Sequence, residues 1–165
     1  MKLFTLSIAL LVPAVCAAES AAELQKKFVG TWKLISMEGP NQTRQIARVG
    51  IITYDNSGYM SVQIATGDRP AFPNGRARAT DKEKAGAFDS YIAYYGTYTI
   101  EPENGVVVHH LEGSTTPGQM GQDNIRYFEF KGNRLILSVG NDGKGGRLAR
   151  KDTTAHVTWQ KLPQK

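Results

Sequence analysis

The chain has 165 residues, 20 Lys and Arg against 15 Asp and Glu (formal charge +5), and one cysteine. That is enough for one domain with a single core, and too little cysteine for a disulfide framework or a thiolate metal site. The positive excess is modest, and no basic blocks interleaved with aromatics mark a nucleic-acid surface.

The first twenty residues, MKLFTLSIALLVPAVCAAES, read as an export signal: Lys2 is the charged start, Leu3 to Val15 is apolar, and small residues follow. Two other readings are a membrane anchor, for which the run is short, and a lipoprotein signal. Against the second, Val15 stands before Cys16 where a small residue is usual. Cleavage near Ala17 or Ala18 removes Cys16 and Lys2, lowers the charge from +5 to +4, and leaves a domain over 19–165 with no thiol. The expected destination is the periplasm or the exterior, with no transmembrane segment in the mature protein.

Next, SAAELQKKFV resembles a short amphipathic helix. Eight short alternating segments follow, punctuated by turn residues: Gly30–Glu38, Ala47–Tyr54, Tyr59–Thr66, Tyr94–Glu101, Val106–Gly113, Asn124–Lys131, Arg134–Gly140 and Thr153–Leu162. Between the third and fourth, DKEKAGAFDSYIAY has room for a helical turn or two. Asn41–Gln42–Thr43 is a glycosylation sequon in a long loop, relevant only in a eukaryotic host.

The second, fourth and sixth connections are tight and rich in Asn and Gly (DNSG, PENG, KGN), whereas the odd ones are long. In an up-and-down arrangement every tight turn then lies at one end and every long loop at the other. This pattern predicts an all-β, eight-stranded antiparallel barrel open at its loop end, a container for a small molecule. The loops carry Arg44, Arg69, Arg76, Arg78, Lys82, Lys84, Lys144, Arg147, Arg150 and Lys151 against seven aspartates and glutamates, a rim of small positive excess.

Successive strand residues face opposite sides, so the less polar row of each strand is taken as inward. This turns in Trp32 and Leu34; Met60, Val62 and Ile64; Tyr94, Tyr98 and Ile100; Phe128 and Phe130; Leu135 and Leu137; and Ala155, Val157 and Trp159. The second strand is apolar on both faces and has no phase. In VVVHHLEGS, Leu111 and Glu112 take opposite faces, so His109 faces in with Val107 and Leu111 while His110 faces out. Arg126 shares the inward row of Phe128. His109, Arg126, Tyr94 and Ser36 then fall in the loop-side half of the barrel, and Trp32 and Trp159 in the other half on strands that must pair. A buried guanidinium requires a carboxylate, waters and backbone carbonyls, or an anionic ligand.

Several stretches together resemble the small bacterial and fungal lipocalin-like domain proteins of the calycin group: GTWKLIS, YDNSGYMSVQI, DRPAF, SYIAYYGTYTI, HHLEGSTTPG and IRYFEF. The resemblance spans nearly the whole mature chain and implies a small eight-stranded barrel with an internal cavity. It implies no catalytic residues. In HVTWQKL, Gln160 and Lys161 stand where an acidic residue and an arginine are expected, so any cation stacked on Trp32 must be Lys161.

Three function classes follow. A binder would hold a hydrophobic or amphipathic molecule, anionic or carbonyl-bearing, against Met60, Val62, Ile64, Phe128, Phe130 and Leu137, anchored by His109, Arg126, Tyr94 and Tyr98. A cofactor-free isomerase, cyclase or lyase would use His109 as acid–base group, Arg126 to hold an oxyanion and Tyr98 or Tyr94 as donor. An interaction module would need an exposed apolar patch that the outward rows do not suggest. A nucleophile elbow is absent from the sequence, one inward histidine makes no zinc site, and NDGKGGR lacks a phosphate loop's setting. No metal or cofactor is therefore expected.

Overall fold

The computed structural model describes residues 19–39, 47–142, 144 and 146–163. Residues 1–18, expected to be removed as an export signal, the Asn41 sequon and Arg44 lie outside the described residues.

Helix α1 spans Ala21–Phe28 and starts at a reciprocal cap in which Ser20 and Glu23 each satisfy the other's backbone N–H. Leu24 and Phe28, four residues apart on one face, are both buried. Strand β1 follows at once (Gly30–Glu38), then β2 (Arg48–Tyr54), β3 (Tyr59–Thr66), β4 (Tyr91–Glu101), β5 (Val106–Ser114), β6 (Asp123–Lys131), β7 (Arg134–Val139) and β8 (His156–Lys161). A second helix, α2, spans Asp81–Asp89 between β3 and β4 and carries its own cap from Thr80 and Glu83. Each strand pairs antiparallel with the next, and β1 pairs with β8 to close the barrel.

Closure sets Leu34 opposite Trp159 and Trp32 opposite Lys161. The Lys161 ammonium sits 5.0 Å from the centre of the Trp32 ring and donates to the Lys27 carbonyl at 2.7 Å, so lysine fills the place of the expected arginine. Trp32 and Trp159 are both buried in the turn-side half. The second strand acquires its phase here: Ile52 and Tyr54 face in, while Val49 and Ile51 stay exposed.

Three features depart from the expected arrangement. Ile35 is an extra residue between the Leu34–Trp159 and Ser36–Thr158 pairs. A bulge of this kind swaps the faces beyond it, so Met37 packs on the core and Ser36, expected inward, turns outward. Glu112 is a second extra residue, between Leu111 opposite Gly96 and Gly113 opposite Tyr95. There β5 passes so close to β4 that a Cβ on Gly96 would run into the His110 carbonyl.

The third departure corrects the expected rim. The connection after β7 does not stay at the mouth but runs down the outer wall of β5 and β6. Tyr127 donates to the Leu148 carbonyl at 2.7 Å, and Arg147 pairs at 2.9 Å with Glu101, beside the tight turn after β4. The reason is local: Val106, Val108, Ile125 and Tyr127 make the outward face of these two strands apolar, and the segment covers it. Arg147 and Arg150 are therefore wall residues rather than mouth residues.

Candidate functional site

Phe28 closes the turn end from inside. Its ring meets Tyr54, Phe128 and Phe130 edge-on at 5.1, 5.2 and 5.1 Å, and its carbonyl accepts the Trp32 indole N–H at 2.8 Å. Phe130 and Phe128, expected to face a ligand, pack against this plug. Met60, Val62, Ile64 and Leu137 are buried in the same cluster.

Above the plug lies His109, fully buried on β5. Its Nε2 is 2.8 Å from the Tyr54 hydroxyl on β2, and its Nδ1 is 3.3 Å from the Tyr94 hydroxyl on β4. Burial holds the imidazole well below its ordinary basicity, and the positive charge of Arg126 pushes the same way. Burial raises both phenols, Tyr54 strongly, while Arg126 opposes the rise at each. All three rings are therefore neutral near pH 7. A neutral imidazole donates through one nitrogen and accepts through the other. One tyrosine thus donates to His109, and the other accepts from it and keeps its own O–H free to donate elsewhere.

Arg126 is half-buried and spends one donor on the Ile125 carbonyl at 2.8 Å. Its guanidinium is close enough to Tyr94 for its positive charge to act on that hydroxyl. The site therefore presents hydrogen-bond donors in an apolar wall, which suits an acceptor oxygen.

The structure brings together His109, Arg126 and Tyr94, as the alternation of β4, β5 and β6 predicts. Tyr98 does not join them: its hydroxyl donates to the Asp55 carbonyl at 2.9 Å, pinning the tight turn after β2. Its place as phenol partner is taken by Tyr54, which sequence reasoning missed. The signal for Tyr54 was slight, since β2 is apolar on both faces and its two hydroxyl-bearing residues, Thr53 and Tyr54, are neighbours that face opposite ways. The outward histidines are as expected. His110 bridges Asp123 at 2.7 Å and Thr99 at 3.0 Å on the outer wall, and His156 bonds Ser138 at 2.7 Å. Among the described residues no group of three or more His, Cys, Asp or Glu side chains is arranged to hold a metal, and no helix is long and apolar enough to cross a membrane.

A family model described as a lipocalin-like domain matches residues 29–162. A 4'-hydroxy-3'-methoxypropiophenone carrier protein from Aspergillus oryzae is 30% identical over 115 residues, covering 64% of this chain and 98% of that protein. Among solved structures, wild-type fluorescent protein UnaG aligns over 83% of this chain and 98% of its own, at 12% identity and a TM-score of 0.36, too distant to add to the fold described above.

Proposed function

The chain belongs to the lipocalin-like domain family, and from that premise we propose that it carries a small amphipathic molecule inside the barrel, held by a carbonyl, carboxylate or phenolate oxygen. One observation carries this reading: the buried Tyr54–His109–Tyr94 chain beside the Arg126 guanidinium. A ligand oxygen accepts from Arg126 and from the free tyrosine O–H. The hydrophobic body lies toward the mouth, between Ile64, Leu137, Met37 and Val157, because Phe28 fills the deeper half. The depressed basicity of His109 makes it a weak proton acceptor in the resting barrel, which favours anchoring over acid–base turnover. The cargo named for the Aspergillus relative, an aryl ketone with hydroxyl and methoxy substituents, has the same character.

Calorimetry of aromatic acids and hydroxyphenyl ketones, each beside a neutral analogue such as the methyl ester, tests the anchor. Arg126→Met is expected to weaken the acids by about 1–3 kcal/mol, the range for a charge-assisted hydrogen bond, and the esters much less. Equal losses for acid and ester would remove Arg126 from the site.

Export belongs to the same reading and rests on the apolar run Leu3–Val15 with small residues after it. Intact-mass measurement of the protein recovered outside the cytoplasm is expected to show a chain lacking Cys16. A mass that retains the first sixteen residues, or a diacylglycerol on Cys16, excludes this processing.

A further inference from the structure

A recess lies at the loop end, outside the barrel interior. Helix α2 buries none of its residues. It stands off from the barrel and leaves a crevice of about 470 Å³ between itself, the Gly67–Thr80 segment and the first residue of β4. Arg69, Phe72, Arg76, Lys84, Phe88 and Tyr91 line it, with Ala87 and Thr115. Its size is that of a site for a one- or two-ring molecule.

The chemistry of the walls is one-sided. Arg69 is held in place: it donates to the Ala87 carbonyl at 3.0 Å, and its guanidinium lies 5.1 Å from the centre of the Tyr91 ring. Among the described residues neither Arg69 nor Arg76 has a carboxylate partner, and Lys84 has only the exposed Asp81 at 3.3 Å. No Asp or Glu is among the lining residues. Phe88 leaves 53% of its surface to solvent although it stands on a helix that could have turned it away. Two arginines without a carboxylate partner, with Lys84 beside them, attract an anion, and aromatic and guanidinium faces supply a stacking surface.

We propose that this crevice is a second binding site, for a small aromatic anion such as an aryl carboxylate or sulfonate, separate from the Tyr54–His109–Tyr94 site within the barrel.

Amide chemical-shift mapping of the full protein with naphthalene sulfonate as probe, and the neutral naphthalene methanol as control, tests it. The sulfonate is expected to shift the amides of Phe72, Arg76, Ala87 and Tyr91, and the alcohol to leave them unmoved. Arg76→Ala with Lys84→Ala removes two exposed charges and is expected to weaken the sulfonate about tenfold. Phe88→Ala, also exposed, should weaken it while keeping all cations. Arg126→Met should leave these shifts in place, which separates this site from the inner one. Sulfonate shifts confined to residues around Arg126, equal shifts with the alcohol, no shifts at all, or an unchanged affinity in the Arg76/Lys84 variant would each overturn the proposal.

Discussion

His109 couples folding to pH through a single ring. An exposed histidine takes its proton near 6.5, and burial holds the folded value well below that. Between the two values the unfolded chain binds a proton that the folded chain refuses. The contribution is thus intact above pH 6.5 and is lost as the pH falls below it, by about 1.4 kcal/mol per pH unit until the folded value is reached. His109→Gln lowers stability outright, since it loosens both tyrosines, but it should flatten this slope. Urea midpoints of both proteins between pH 7 and 5 measure the difference. The carboxylates that folding makes more acidic (Glu23, Glu83, Glu101 and Asp142) act in a lower window, below their ordinary values of 4.5 and 3.8, and do not mask it.

At the scale of the element, α1 matters more than its eight residues suggest. Its last side chain is the floor of the barrel, touching rings from β2, β4 and β6. Phe28→Ala would leave a ring-sized void among packed aromatics, and losses for such truncations run to about 3–5 kcal/mol. Denaturant unfolding at neutral pH measures it, and a loss under about 1 kcal/mol would mean that the closed end collapses onto the gap. The same helix separates the two tryptophans. Trp32 donates to the Phe28 carbonyl at 2.8 Å, whereas the buried Trp159 indole N–H has no partner among the described residues. Trp32→Phe leaves a buried carbonyl short of a donor, and Trp159→Phe removes an unsatisfied one. The first should therefore destabilise by roughly 1–3 kcal/mol more than the second, a ranking that paired thermal melts can check.

For the whole molecule, closure of β1 on β8 joins the two ends of the chain's β-structure into one core. Eight strands with no free edge leave no strand able to unfold alone at little cost. A domain of this size is expected to unfold in one step. Tryptophan fluorescence reports the β1–β8 seam, and far-ultraviolet circular dichroism reports all strands. Their transitions should coincide, and a fluorescence change that precedes the loss of β signal would show a seam that opens first.

The barrel itself was legible in the chain because strands and tight turns are local features. Alternation with a period of two marks which residue faces in, and turns rich in Asn and Gly mark where the chain reverses, so eight strands, the inward phase of seven of them with His109 and Arg126, and the Trp32–Trp159 seam follow from neighbours in sequence. Alternation is silent where both faces are apolar, as in β2, which concealed Tyr54. It also misleads past a bulge, as at Ser36, because one extra residue exchanges the two faces. Phe28 could be read as the end of a short amphipathic helix but not as the floor of a barrel, since the rings it touches lie on three strands far along the chain. The cover over Tyr127 and the crevice under α2 have the same origin. Loop length and composition say that a segment is free to move over the surface, but where it settles depends on which apolar faces the closed barrel leaves uncovered. That is decided only when strands distant in sequence have paired.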